Sequence, residues 1–173
     1  MSSSTITDVR QFLTFKLSDE MFGVDVAQVR EILDYIKVTK VPQTPDFMCG
    51  VINLRGNVVP VVDMRLKFGM EKTEKTVDTC IVVMEVFVEG ETTILGALVD
   101  SVQEVFELTP DDIEPAPKIG TKLNTDFIKG MGKKDDLFII ILNIDKIFSS
   151  EELMVVQEAG QQENYEQEAV QNM

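Results

Sequence analysis

The side chains able to do chemistry are few and scattered. The 173 residues contain no histidine, no tryptophan and two cysteines, Cys49 and Cys80. Without histidine there is no imidazole base, no imidazole zinc ligand, and no Ser-His or Cys-His nucleophile pair. Both cysteines lie in or beside apolar strand-like runs, where a thiol is mostly a small core residue. They do not form C-x-x-C, and two isolated thiols suit a reducing cytoplasm better than a disulfide scaffold. Gly130-Met-Gly132-Lys133-Lys134 looks phosphate-like, but it lacks the G-x-x-x-x-G-K-[ST] spacing and falls in an expected hairpin. Asp111-Asp112 reads as a turn or helix start and Asp135-Asp136 as a hairpin tip, and neither has the pattern of a calcium loop. No catalytic residue, metal site or cofactor is expected. Glu31 and Arg55 are the charges most tightly embedded in apolar context, and each alone reads as a salt-bridged or solvated surface charge.

Charge narrows the partners. Lys and Arg total 16 and Asp and Glu 30, a net charge of −14. From Ser149 to Met173 there are six glutamates and no base, leaving 24 acids against 16 bases, or −8, in the body. Such a body repels phosphate backbones, so no nucleic-acid partner is expected. The N-terminus MSSSTITDVR has neither a basic region nor an apolar core, so no signal peptide is expected. No apolar run approaches the roughly 20 residues of a spanning helix. A soluble cytoplasmic protein without direct membrane insertion is the expectation.

Strand signals dominate the elements that must position these residues. After an arm over 1–9, Phe12 to Leu17 and Phe22 to Val29 flank Asp19-Glu20 as a hairpin. Val29 to Leu33 is ambiguous between a helical turn and a strand. Gly50 to Asp63 holds two apolar segments around Arg55-Gly56-Asn57, in which glycine and asparagine tolerate the positive φ of a tight turn. Pro60 lacks an N–H, so its strand is expected at an edge or bulged. Residues 69–78 read as a linker. Further hairpins follow over Cys80 to Val99 and Phe127 to Asn143. Ser149-x-x-Glu152 is a capping box ahead of a short helix over 149–160, and a disordered acidic tail is expected over 161–173.

The halves repeat. At an offset of 73, Gly23, Val26, Val29, Glu31 and Ile32 fall on Gly96, Val99, Val102, Glu104 and Val105. At an offset of 80, Phe47, Gly50 and Phe68 fall on Phe127, Gly130 and Phe148. The expectation is an all-β protein of two small barrel-like units, a first over about 10–70 and a second over about 77–148. Each alone is marginal, so the two pack into one body. A crevice between them suits an amphipathic helix as partner, with Val29 and Val102 at its borders.

Val29-Arg-Glu31-Ile, the run from Phe47 through Gly50-Val-Ile-Asn-Leu-Arg55-Gly56 and Pro60-Val-Val-Asp63-Met-Arg65 to Phe68, and Gly96-Ala-Leu-Val99-Asp100-x-Val102-x-Glu104-Val105 closely resemble the CheW family of bacterial chemotaxis coupling proteins. The resemblance runs from about Gln11 to Phe148. The same segment also marks the regulatory domain of the histidine kinase CheA and the CheV adaptor; with no kinase, phosphotransfer or receiver domain expected here, the stand-alone coupler fits best. The resemblance implies two intertwined five-stranded SH3-like barrels and a non-catalytic adaptor, at receptor arrays beneath the inner membrane. It implies a groove between the barrels that binds chemoreceptor cytoplasmic tips, formed by Val29, Glu31, Gly50, Arg55, Cys80, Ile81, Val102 and Val105. Gly50 would let a partner approach closely, Val29, Ile81, Val102 and Val105 would bury apolar receptor residues, and Glu31 and Arg55 would set polar register or hold each other across the barrel. Contacts to the CheA regulatory domain would lie near Val38 and Val58, and ring contacts at Glu114 and Ile119. An equivalent adaptor of a twitching-motility-like pathway and a ligand-binding β barrel are the competing readings.

Overall fold

The computed structural model describes residues 9–88, 90–115, 127–149, 151, 152, 154–156 and 158. Eleven strands are formed: β1 Arg10–Leu17, β2 Glu20–Asp25, β3 Val29–Asp34, β4 Met48–Leu54, β5 Asn57–Asp63, β6 Cys80–Val88, β7 Glu91–Val99, β8 Ser101–Leu108, β9 Ile113–Glu114, β10 Ile128–Lys134 and β11 Leu137–Leu142. They make a six-stranded sheet in the order β8-β1-β2-β11-β10-β9 and a five-stranded one in the order β3-β6-β7-β5-β4. The ambiguous segment after Val29 is thus a strand, because its period of two alternates exposed and half-buried residues.

Both sheets curl shut. In the six-stranded sheet, barrel A, the end strands β8 and β9 are joined by one 3-10 turn, Pro110–Asp112. In the five-stranded sheet, barrel B, Thr39 and Val51 exchange two backbone hydrogen bonds of 2.8 Å and tie β4 to the segment after β3.

Neither barrel is a continuous stretch of chain. Barrel A takes β1 and β2 from before the linker and β8 to β11 from after it, whereas barrel B combines β3 to β5 with β6 and β7. The expected units over 10–70 and 77–148 therefore divide the chain and not the barrels. The chain changes barrel at two short connections. A single residue, Asp100, separates β7 from β8, and a 3-10 turn, Val26–Gln28, separates β2 from β3. A one-residue connection cannot reverse a strand as a two-residue hairpin does, so the chain crosses into the other sheet.

The exchange is quasi-symmetric. Parallel pairing joins Val61 of β5 to Gly96 of β7, and Ile141 of β11 to Gly23 of β2. The Asp63 N–H donates to the Phe47 carbonyl at 2.7 Å, and the Asn143 N–H to the Phe127 carbonyl at 2.6 Å. Phe68 stacks on Phe127 and Phe148 tilts on Phe47, with centroids 5.1 and 6.0 Å apart. The largest apolar cluster, including Phe15, Met48, Val62, Met84, Leu95 and Leu142, joins the barrels, and smaller clusters fill barrel B around Ile81 and barrel A around Leu108.

Pro60 sits neither at an edge nor in a bulge. β5 lies between β4 and β7. Val51, opposite Pro60, spends both backbone groups on Thr39, and pairing with β7 starts only at Val61. The missing N–H therefore leaves no ladder bond unmade. The bulge is across the pair, at Cys49, between Met48 opposite Val62 and Gly50 opposite Val61.

Candidate functional site

Arg55 and Gly56 are the two turn residues of the β4–β5 hairpin, at φ 53° and 85°. Two consecutive positive values make the mirror-image turn that matches strand twist. Asn57, expected to share the turn, already belongs to β5, and the Asn53 side chain accepts the Gly56 N–H at 2.9 Å instead. The turn aims Arg55 at β3. Its two terminal nitrogens each donate to a Glu31 carboxylate oxygen at 2.8 Å, a forked pair. Those hydrogen bonds hold the Glu31 carboxyl below its ordinary range and raise the guanidinium. Glu31 and Arg55 thus hold each other across the barrel.

Two further expected groove residues, Gly50 and Ile81, face this chain's own atoms. Gly50 is buried at φ 143°, and a Cβ there would sit 2.0 Å from the Thr39 carbonyl oxygen. The space its missing side chain leaves is filled by this chain's own backbone, not by a partner. Gly130 does the same in barrel A, where a Cβ would meet the Glu114 carbonyl at 2.7 Å. Ile81 is 0% exposed inside barrel B, because the alternation of β6 turns it inward against Val61, Val83 and Leu98.

The remaining groove residues fall in separate places. Val29 directly follows the turn at 26–28 and Val102 lies two residues after Asp100, and both are half-buried against the cluster that joins the barrels. Val105, further along β8, is 48% exposed. Cys80 is half-buried and pairs with Asp34, four residues along β6 from Met84, the partner of Val29, or about 13 Å. Its thiol donates to the Asp78 carbonyl at 3.1 Å. Ile32, unassigned from sequence, is 45% exposed. Its match with Val105 in the repeat was the available signal.

Val38 packs against the cluster inside barrel B and Val58 against the cluster joining the barrels, so the two do not share one apolar environment. Glu114 is exposed on β9, opposite Met131. Ile119 lies outside the described residues, as do the tail over 161–173 and the arm up to residue 8.

A cavity of about 640 Å³ opens beside barrel B, between the 38–46 loop and the linker, lined by Tyr35, Cys49, Asp63, Lys72, Lys75 and Thr79 among others. Its lining comes from barrel B, its loops and the Asp100 connection, with no residue of a barrel A strand. Burial pushes the Cys49 thiol up to about 12, so it holds no thiolate at neutral pH. Asp63 caps the short helix Met64–Lys67, accepting the Arg65 N–H at 2.9 Å. Among the described residues no three His, Cys, Asp or Glu side chains gather to hold a metal ion, and no helix is long and apolar enough to cross a membrane.

Interleaved barrels, half-buried valines near the crossovers and a forked surface ion pair define a paired-barrel protein. The chain belongs to the CheW-like domain family, which matches residues 11–152, a family of chemotaxis adaptors and scaffolds. It is 37% identical over 147 residues to the chemotaxis protein CheW of Klebsiella aerogenes, covering 85% of this chain and 86% of the relative. It is 33% identical to the chemotaxis protein CheW of Helicobacter pylori over 83% of this chain and 84% of the relative. The crystal structure of the scaffolding protein TtCheW from Thermoanaerobacter tengcongensis superimposes with a TM-score of 0.72 at 36% identity, covering 83% of this chain and 94% of that one.

Proposed function

We propose that the protein is a non-catalytic adaptor that couples chemoreceptor cytoplasmic tips to the histidine kinase CheA, in the cytoplasm at receptor arrays. The observation that carries the reading is the placement of Val29 and Val102 within two residues of the two crossovers, each half-buried against the inter-barrel core. An apolar helix face laid there extends a core that already exists, and burial at such a site gives roughly 25 cal/mol per Å². The Glu31–Arg55 fork on barrel B supplies a fixed polar mark for register. Contacts to the CheA regulatory domain are assigned to the barrel ends near Val38 and Val58.

The test is reconstitution of purified chain, receptor fragment and CheA with kinase activity as readout. Adding the chain raises activity in the complete mixture and leaves CheA alone unchanged. Arg55→Glu and Val105→Asp alter exposed side chains, so they keep the fold and weaken receptor pull-down by roughly tenfold. Val102 packs on the core, so Val102→Asp reports packing as well as binding. Wild-type pull-down by Arg55→Glu and Val105→Asp together would remove this surface from the receptor interface.

A further inference from the structure

The quasi-symmetry places Arg65 and Asp145 at equivalent positions, each directly after the second hairpin of its half, at the same offset of 80 that relates Gly50 to Gly130. Their side chains differ in charge, yet each reaches a crossover. The Arg65 guanidinium donates through Nε and Nη2 to the two oxygens of Asp100 at 2.7 and 2.6 Å, and through Nη1 to the Glu71 carbonyl at 3.0 Å. Asp100 is the single residue between β7 and β8, and it also accepts the Ser18 N–H of barrel A at 2.7 Å. In the other half, one oxygen of Asp145 accepts the Gln28 side-chain amide at 2.9 Å and the Phe87 N–H at 2.8 Å. Gln28 ends the turn between β2 and β3, and Phe87 belongs to barrel B.

We propose that Arg65 and Asp145 are positioning residues that together set the angle between the barrels, and with it the width of the crevice at Val29 and Val102. The apolar cluster between the barrels supplies cohesion, but cohesion of apolar surface is non-directional. A forked guanidinium–carboxylate pair fixes distance and plane together. Each grip lies at a point where the chain passes between barrels, so a small change there rotates a whole barrel. Arg65 ties barrel B through Asp100 to Ser18 of barrel A, and Asp145 ties barrel A to Gln28 and Phe87. The two grips therefore act in opposite directions across one interface. The consequence for receptor coupling rests on the function proposed above, whereas the angle itself does not.

Residual dipolar couplings of backbone amides in the full chain read that angle directly. In the wild type, one alignment tensor fits β1, β2, β10 and β11 together with β3 to β7. In Arg65→Gln and in Asp145→Leu each barrel keeps its own internal fit, but the two need different tensors. The exchange Arg65→Asp with Asp100→Arg restores a single tensor. Arg65→Lys, which keeps the charge and loses the fork, gives the two-tensor result by itself should Arg65→Gln not fold. A single wild-type tensor in Arg65→Lys and Asp145→Leu would overturn the assignment, whatever receptor binding does. Two tensors accompanied by unchanged receptor pull-down would keep the positioning role and count against the crevice as the receptor site. Two tensors with pull-down weakened roughly tenfold support both.

Discussion

Gly50 shows how one absent side chain decides a fold. Its φ of 143° and the Thr39 carbonyl 2.0 Å from where a Cβ would sit leave an alanine no room, because the obstacle is backbone. Gly56, at φ 85°, has open space around its missing Cβ. Gly50→Ala is expected to cost roughly 2–4 kcal/mol and Gly56→Ala about 1 kcal/mol, read as shifts in urea midpoint. Equal costs would mean that the Thr39 segment moves aside freely. Asp100 makes the residue scale pH-dependent. Burial pushes its carboxyl up, but the Arg65 guanidinium and the Ser18 N–H outweigh that and hold it below its ordinary 3.8. The unfolded chain therefore binds the proton at higher pH than the folded one does. The stabilisation is present above the ordinary carboxylate value and fades as pH falls through and below it. Asp100→Asn should flatten the stability curve across that range. An unaltered acid slope in Asp100→Asn would assign it to other carboxylates.

Among elements, the C-terminal segment is the clearest case of a local signal confirmed by a distant contact. Residues 151, 152, 154–156 and 158 are helical. The capping box closes in both directions, with the Ser149 N–H donating to the Glu152 carboxylate at 3.0 Å and the Glu152 N–H to the Ser149 hydroxyl at 3.1 Å. Val156 is fully buried in the inter-barrel cluster. Lys67 Nζ lies 2.7 Å from the Glu152 carboxylate and 5.2 and 5.4 Å from the Phe47 and Phe148 ring centroids. The box was legible because its residues are three apart. The lysine between two aromatic rings was not, because its partners come from two distant segments, Phe47 and the stretch from Phe148 to Glu152. Removing residues 150–173 should lower Tm by roughly 5–10 °C through the loss of Val156 and the Lys67 pair. Removing 161–173 alone should leave Tm nearly unchanged, so equal effects of the two truncations would move the stabilising contacts into the tail.

As a whole the molecule cannot be cut at its linker. Each barrel needs strands from both sides of residues 69–78, and the largest apolar cluster joins the two barrels. Unfolding should therefore be a single transition. In a urea series followed by residue-resolved NMR, native signals of Val24 in barrel A and Val83 in barrel B should vanish together. Fragments 1–75 and 76–173 should each stay unfolded and regain structure only when mixed. Separate midpoints, or a fragment folded alone, would contradict the exchange of strands.

Local chemistry in the chain determined the strands, the Arg55-Gly56 turn, the capping box, the repeat and the unlikeness to an enzyme built on histidine. Each of these depends on neighbours in sequence or on composition. The tertiary structure alone decided which strands share a barrel, that Glu31 and Arg55 grip each other, that Ile81 faces inward, and that Gly50 admits Thr39 rather than a partner. Those outcomes turn on the pairing of segments tens of residues apart. An apolar alternation is the same on paper whichever sheet it joins, and a glycine does not name the atom that will fill its space.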